Sequence, residues 1–150
     1  LIIADIAPVA YEHSHSGHIS VMRGLDLTDL SRRSEADARL ARHLDDPALR
    51  AFLLQSLGIT PEGARWKLAL DILARDMPTI VGWPEVTGTF EGPSLFVSGG
   101  ASDYQPPETD AHVKTLFPQA RFQRLEGAGH WLHEEQPRAF VDVVGAFLAG

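Results

Sequence analysis

Apolar residues follow two different spacings along the chain. Short apolar runs at residues 1–6 and 93–98 have a length and composition typical of buried β-strands. Residues 120–126 are predicted to form a third strand, with Phe122 in the core. Helical spacing is found at about 107–117 and again after the third strand. The last helix is predicted to begin near Pro137 and to bury Phe140, Val141, Val144, Phe147 and Leu148. Strands that alternate with helices indicate a parallel sheet, so the pattern predicts a three-stranded α/β core.

The central part of the chain has a helical pattern instead. Residues 11–20 are rich in His, Ser and Gly, which predicts a loop. Ser34 and Asp37 resemble a capping box, which predicts the start of a helix there. Another helix is predicted to start with Pro47 in its first turn and to end at a glycine cap, Gly58.

The helical pattern continues around Trp66. This further helix should stop before Pro78, because the residue before a proline avoids the helical conformation. The chain is thus predicted to have three parts. Residues 1–30 would form a core strand and its loop, residues 31–83 a helical insert, and residues 84–150 the remaining core strands and helices.

Composition narrows the classes of function. The net charge of −7 over 150 residues disfavours nucleic acid as a partner, because an acidic surface repels phosphate. The sequence has no cysteine, which excludes disulfides, thiolate metal sites and a cysteine nucleophile and is compatible with a cytoplasmic location. No apolar stretch has the length that a membrane span needs. With 44% apolar residues a globular domain is expected, and the cysteine-free sequence favours the cytoplasm as its location.

Polar side chains follow the predicted strands at the places where parallel sheets form their sites. Asp5 ends the first strand, Asp103 follows the second, and His130 follows the third. Ligands of open parallel sheets bind outside the C-terminal ends of the strands, so these side chains should share one cleft. A histidine held by a carboxylate can act as a general base toward a hydroxyl nucleophile. Aspartates and histidines in loops also commonly cap turns or face solvent, and this alternative stays open.

Three segments of the chain match motifs of one enzyme superfamily. Residues 127–137 (GAGHWLHEEQP) contain a Gly-His pair followed by an aromatic residue, acidic residues and a proline. Residues 5–8 (DIAP) follow the first strand, and residues 95–104 (LFVSGGASDY) form the second strand and its turn. These segments resemble the α/β-hydrolase superfamily and, within it, the YbfF-type esterase branch. The resemblance spans nearly the whole chain and implies the C-terminal part of an α/β-hydrolase fold, with parallel strands and a helical cap at 31–83.

The resemblance implies a role for each candidate residue. His130 would be the catalytic base. The acid would be Asp5, which the YbfF-type branch uses, or Asp103, in the position that most superfamily members use. Asp5 is favoured, and Asp71 is a weaker third candidate. Large apolar side chains of the cap and of the histidine loop would line an acyl pocket or pack the protein: Phe52, Trp66, Trp83 and Trp131.

The nucleophile of the superfamily is missing from the sequence. A Gly-x-Ser-x-Gly elbow is needed to expose the serine, and none of Ser94, Ser98 and Ser102 lies between two such glycines. The superfamily places the elbow before the sixth strand, so we expect the chain to be the C-terminal half of a hydrolase and inactive alone. An unpaired first strand also predicts dependence on the missing N-terminal half, or self-association.

The leading hypothesis is a serine-type hydrolase of small acyl esters or thioesters that requires no cofactor. Two alternatives remain open. A non-catalytic module could bind an apolar ligand or a partner, which the missing nucleophile favours. A metal-dependent hydrolase could use the imidazoles of His13, His15 and His18, since three neighbouring histidines can bind zinc, although no further ligand pattern supports it.

Overall fold

The computed structural model describes residues 1–12 and 15–150, which divide into two compact units. One unit consists of residues 1–9 and 84–150, and the other of residues 10–83. Within the described ranges, none of the helices combines the length and apolarity that a membrane crossing needs. In chain order the elements are β1 (Ile2–Ala4), α1 (Ser16–Gly24), α2 (Arg33–Leu40), α3 (Pro47–Leu54), β2 (Leu57–Thr60), β3 (Gly63–Trp66), α4 (Leu70–Val81), β4 (Ser94–Gly99), a 3₁₀ turn (Pro107–Thr109), α5 (Asp110–Leu116), β5 (Ala120–Leu125), α6 (Leu132–Glu135) and α7 (Pro137–Leu148).

A three-stranded parallel sheet forms the centre of the first unit. β4 is the middle strand and pairs with β1 on one side and β5 on the other, so Phe96 lies between Ile3 and Phe122. Every residue of β4 is buried, as expected for a central strand covered on both faces. The predicted α/β fold is confirmed, although β1 is shorter than the apolar run that predicts it.

The buried face of α7 differs from the predicted one. Phe140 and Phe147 pack against the core but, like Val144, are only partly buried, and Val143 lies beside the two phenylalanines in the same cluster. Val141 is 64% exposed and Leu148 is 71% exposed, so the prediction that both are buried was wrong. Each lies one position beyond a core phenylalanine, and a step of about 100° around the helix turns it away from the core.

A β-hairpin in the second unit replaces part of the predicted helical structure. β2 and β3 pair antiparallel, with Leu57 opposite Trp66 and Thr60 opposite Gly63. Gly58 therefore lies inside a strand and does not cap a helix, and the helix predicted around Trp66 was wrong at that position. Gly63 has a φ of 128°, a conformation that glycine adopts without steric cost, so the tight turn after Thr60 can form.

α1 occupies the second half of a segment that was predicted to be a loop. It begins at Ser16 and buries Ile19 and Met22, which pack with Leu70 and Met77 of α4. The prediction was wrong because the polar composition of the segment outweighed two apolar positions three residues apart. Tertiary packing of these two side chains stabilises the helix in spite of that composition.

The start of α2 is capped by Glu35 and not by Asp37. The Glu35 carboxylate accepts hydrogen bonds from the backbone N–H groups of Ser31, at 2.9 Å, and Arg32, at 3.2 Å. The Ser31 bond above all, together with the Arg32 guanidinium, lowers the pKa of Glu35 to about 2. Asp37 instead forms a salt bridge with Arg50 at 2.8 Å, so the predicted capping box was wrong.

The two proline-containing helices of the second unit behave differently. α3 starts at Pro47 as predicted, and the carboxylate of Asp46 accepts a hydrogen bond from the Ala48 N–H at 2.8 Å. α4 continues through Pro78, so its predicted end was wrong. The proline removes one backbone donor, but Met77 stays buried in the hydrophobic cluster, and this packing outweighs the lost hydrogen bond.

Candidate active site

The C-terminal ends of the three parallel strands meet at one edge of the sheet. Asp5 directly follows β1, Gly99 ends β4, and His130 lies in the loop between β5 and α6. The Asp5 N–H donates to the Val97 carbonyl oxygen at 2.7 Å, which extends the pairing of β1 and β4 by one residue. Open α/β sheets form their sites at this edge.

The carboxylate of Asp5 is the centre of a hydrogen-bond network. Its Oδ1 accepts from the Gly99 N–H at 3.0 Å. Its Oδ2 accepts from the Ser102 hydroxyl at 2.5 Å and lies 2.8 Å from Nδ1 of His130. Only 1% of Asp5 is exposed, so water does not compete for these bonds. Donors on both oxygens, besides the imidazole, fix the plane of the carboxylate.

The imidazole of His130 joins this network through one nitrogen. Its side chain is 44% exposed. No group of residues 1–12 or 15–150 hydrogen bonds with Nε2. When Nδ1 carries the proton and donates it to Asp5, neutral Nε2 has a free lone pair. The arrangement can therefore remove a proton from a group placed beside Nε2.

The histidine loop comes close to the network because two backbone segments touch without a side chain between them. A Cβ atom on Gly99 would lie 2.3 Å from the carbonyl oxygen of Gly129 and 2.4 Å from that of Ala128. The Ala101 N–H donates to the Ala128 carbonyl oxygen at 2.9 Å. A glycine at the end of β4 is therefore required for the imidazole to approach the carboxylate.

Two side chains that follow the histidine hold its loop in place. Glu135 Oε2 accepts from the Gly129 N–H at 2.8 Å, and Gln136 Nε2 donates to the Glu126 carbonyl oxygen at 2.7 Å. Leu132 is 1% exposed and anchors the same segment in the core of the unit. The acidic residue and the glutamine of this motif therefore have a structural function.

The two aspartates predicted as alternative acids are placed differently. Asp103 is exposed, and in the described part of the chain it makes no hydrogen bond or salt bridge. Of the two predicted acids, the structure brings Asp5 into contact with His130 and does not bring Asp103 there. Asp71 lies in the other unit, where it forms a salt bridge with Arg23 at 2.7 Å.

Two residues of the network, Ser102 and Tyr104, were not predicted to have a role in the site. Ser102 donates to Asp5, and the ring of Tyr104 stacks on the imidazole of His130, with ring centroids 3.8 Å apart. Both lie in the turn after β4, and the sequence signals were the polar character of that turn and its place in the segment 95–104 that resembles the superfamily. Their contacts connect distant parts of the chain, which spacing alone does not predict.

The predicted acyl-pocket residues are divided between the two units. Trp131, which directly follows His130, is partly buried in the first unit. In the second unit, Phe52 is 54% exposed and Trp83 is 43% exposed. Trp66 packs against both hydrophobic clusters of that unit, and its indole N–H donates to the Met22 carbonyl oxygen at 2.8 Å. Trp66 thus has packing contacts, and a pocket role for any of the four stays a prediction.

The predicted histidine cluster is described only in part. His13 lies outside the described residues, whereas the rings of His15 and His18 stack with their centroids 5.8 Å apart. Within residues 1–12 and 15–150, no group of three or more His, Cys, Asp or Glu side chains is placed to hold a metal ion. The metal-dependent alternative therefore stays a prediction.

Comparisons with known proteins point to one family. Residues 4–143 match the model of the alpha/beta hydrolase family. The mouse sn-1-specific diacylglycerol lipase ABHD11 is 35% identical over 155 aligned positions, which cover 99% of this chain and 50% of the lipase. The Escherichia coli esterase YbfF is 32% identical over 149 positions, covering 99% of this chain and 57% of the esterase. The chain spans about half the length of these curated relatives.

Solved structures agree with the sequence relatives. A marine microorganism esterase superposes with a TM-score of 0.91 and 32% identity, covering 98% of this chain and 59% of the esterase. A thioesterase domain from the curacin biosynthetic pathway superposes over 96% of the chain with a TM-score of 0.54 and 21% identity, which indicates a shared fold alone.

Proposed function

Because the chain belongs to the alpha/beta hydrolase family, we propose that it carries the base and the acid of a serine-type relay that hydrolyses carboxylic esters or thioesters. The superfamily predicted from the three sequence motifs is confirmed by the family match. The separation of 2.8 Å between Nδ1 of His130 and Oδ2 of Asp5 is the observation that carries the proposal. The relatives include an esterase and a lipase, which supports ester hydrolysis as the reaction.

His130 and Asp5 have different roles in the proposed reaction. Nε2 of His130 takes the proton of a serine hydroxyl as the serine oxygen attacks the acyl carbon, and the Asp5 carboxylate stabilises the resulting imidazolium. The imidazolium then protonates the departing alkoxide or thiolate, which leaves an acyl-serine ester. Water attacks this ester while Nε2 accepts its proton, and the imidazolium then returns that proton to the departing serine oxygen, so that the carboxylic acid, the free serine and the neutral imidazole are formed.

The serine is proposed to belong to a part of the protein other than these 150 residues. The sequence contains no Gly-x-Ser-x-Gly elbow. The hydroxyl of Ser102 already donates to Asp5 at 2.5 Å, and Tyr104 stands where the second glycine of an elbow would be. Since the chain spans about half of its curated relatives, we propose that an N-terminal half supplies the elbow and that this chain alone is inactive.

An acyl-binding cap is the proposed role of residues 31–83. The exposed aromatic side chains of Phe52 and Trp83 support it, because acyl chains bind to apolar and aromatic surfaces. The substrate would be a small acyl ester or thioester. The cytoplasmic location expected from the cysteine-free sequence stays a prediction.

Labelling with a fluorophosphonate, which reacts with activated serines, tests the proposed function. We expect no labelling of the chain alone and rapid labelling of a protein in which its N-terminal half is restored. In that protein, His130→Ala should slow labelling roughly a thousandfold or more, because the serine loses its base. His133→Ala is the matched control, since that exposed histidine lies outside the network, and it should label normally. Labelling of the isolated chain, or labelling unaffected by His130→Ala, would contradict the proposal.

A non-catalytic binding module is the second candidate, and the missing nucleophile favours it. Exposed apolar side chains such as Ile72 and Ile80, which are 51% and 56% exposed, would then contact a ligand or partner. This candidate predicts that the restored protein binds an apolar fluorescent dye but neither labels with the fluorophosphonate nor releases product from an ester.

A further inference from the structure

One hydrogen bond does not fix the orientation of the His130 imidazole. The contact between Nδ1 and Asp5 Oδ2, at 2.8 Å, holds a single ring atom, and small changes in the two side-chain torsions can still tilt the ring plane. The side chain is 44% exposed, so the core does not enclose it. A general base must keep Nε2 at one position, because small misplacements cost large factors in rate. A second contact is needed to hold the plane of the ring.

The ring of Tyr104 makes this second contact. It stacks on the imidazole with centroids 3.8 Å apart and planes inclined by 20°, so it covers one face of the imidazole almost in parallel. Stacked aromatic pairs are stabilising beyond the area that they bury. When His130 takes up a proton, the electron-rich face of the phenol also attracts the imidazolium cation.

Tyr104 is held by the same network that it completes. Its backbone N–H donates to the hydroxyl oxygen of Ser102 at 3.2 Å, and that hydroxyl donates to Asp5 at 2.5 Å. The following residue, Gln105, is 1% exposed and anchors the turn. The carboxylate that orients one edge of the imidazole therefore also positions the ring that covers its face.

The phenol of Tyr104 stays protonated over the pH range in which a histidine base works. Burial is the main cause that raises the pKa of Tyr104 above its ordinary value, and the charges of Asp103 and Asp5 raise it further. The ring facing His130 is thus a neutral aromatic surface, and the stack does not change its charge near neutral pH.

We propose that Tyr104 is a positioning residue of the relay, whose stacked ring fixes the plane of the His130 imidazole so that Nδ1 stays on Asp5 and Nε2 stays available. This inference rests on the proposed function, since the orientation of the ring matters for catalysis only if His130 is the base.

Nuclear magnetic resonance of the His130 ring tests the inference in the protein whose N-terminal half is restored. We expect a sharp, strongly downfield Nδ1 proton signal for His130 and upfield-shifted ring protons from the aromatic ring above it. Tyr104→Leu should broaden or remove the Nδ1 signal and abolish the upfield shift, whereas Tyr104→Phe, which keeps the ring, should retain both. Phe90→Leu removes a 44% exposed aromatic ring that packs with Phe117, and as the matched control it should leave both signals unchanged.

Unchanged His130 signals in Tyr104→Leu would overturn the inference. If Tyr104→Leu does not fold, the wild-type spectrum is the test. The absence of cross-peaks between the rings of Tyr104 and His130 would then overturn the inference. In the protein that carries the serine, Tyr104→Leu should lower kcat roughly three- to tenfold with little change in KM, and Tyr104→Phe should restore kcat. Fluorophosphonate labelling tests the proposed function separately: a protein that never labels rejects that function even where the ring signals depend on Tyr104.

Discussion

The carboxylate of Asp5 has a donor on each oxygen before the imidazole is considered. The Gly99 N–H binds Oδ1, and the Ser102 hydroxyl shares Oδ2 with His130. A side chain at this position must therefore accept hydrogen bonds on both of its terminal atoms. Asparagine has the same shape but only one acceptor, because its amide nitrogen can only donate.

Replacing Asp5 by asparagine therefore tests this requirement for two acceptors. The amide nitrogen would face either the Gly99 N–H or Nδ1 of His130, and the second arrangement forces the imidazole into the tautomer that cannot act as base. We expect Asp5→Asn to lower kcat for ester hydrolysis by about 10³ to 10⁴ in the protein that carries the serine. Asp103→Asn, at an exposed side chain, should stay within about threefold of the wild-type rate.

Initial rates with a p-nitrophenyl ester measure both variants, and their folding is compared by circular dichroism. A large loss of activity in Asp103→Asn, together with near-normal activity in Asp5→Asn, would show that Asp103 and not Asp5 is the acid of the relay.

The site residues that follow predicted strands could be identified from the sequence. Those whose role depends on contacts with distant parts of the chain could not. Asp5 and His130 each follow a predicted strand and lie in a recognisable motif. The contact of Ser102 with Asp5 joins positions 97 residues apart, and the stack of Tyr104 on His130 joins two separate loops. Such contacts depend on the packing of the whole sheet, which local spacing does not encode.

The longer core elements with a regular apolar pattern were predicted well, and the two short strands of the hairpin were not. β4, β5 and α7 have six to twelve residues with a clear apolar pattern, and all three are found where it predicts them. The strands of the hairpin have four residues each, too few to distinguish two spacings, so Gly58 and Trp66 were placed in helices. In α4, the packing of Met77 outweighs the tendency of Pro78 to end a helix, so α4 continues beyond it.

Gly99→Ala tests the contact between the end of β4 and the histidine loop. The added methyl group would lie 2.3 Å from the Gly129 carbonyl oxygen, so one backbone segment must move. We expect the free energy of unfolding to fall by about 1 to 3 kcal/mol, measured from urea denaturation midpoints. Gly145→Ala, in α7 with nothing within 4 Å of its Cβ, is the control and should raise stability by about 0.5 to 1 kcal/mol. Equal effects of the two substitutions would contradict a close backbone contact.

The sheet of the first unit has β1 at one edge and β5 at the other. Among the residues that the structure describes, β1 pairs with β4 and with no other strand, and the flanking apolar residues Leu1 and Ile6 are 54% and 41% exposed. An apolar edge strand with unpaired backbone groups is a template for pairing with another chain. The same edge would be covered if an N-terminal half continued the sheet.

We accordingly expect the isolated chain to self-associate. Light scattering after size exclusion should show dimers or larger species at micromolar concentration, and Ile6→Lys, which adds a charge beside the edge, should shift them toward monomer. Val141→Lys, at a 64% exposed position on α7, adds the same charge elsewhere and should leave association unchanged. A monodisperse wild-type monomer with a sharp unfolding transition would contradict this expectation.

The pairing of β1 with β4 closes a long loop of the chain, because Ile2 lies opposite Leu95. The whole second unit, residues 10–83, belongs to this loop. The entropy lost on closing such a loop grows only with the logarithm of its length, and doubling the loop costs about 0.6 kcal/mol. Evolution can therefore lengthen, shorten or replace the enclosed segment at little thermodynamic cost. Such changes would leave the ends of the three parallel strands, and with them the contact between Asp5 and His130, in place.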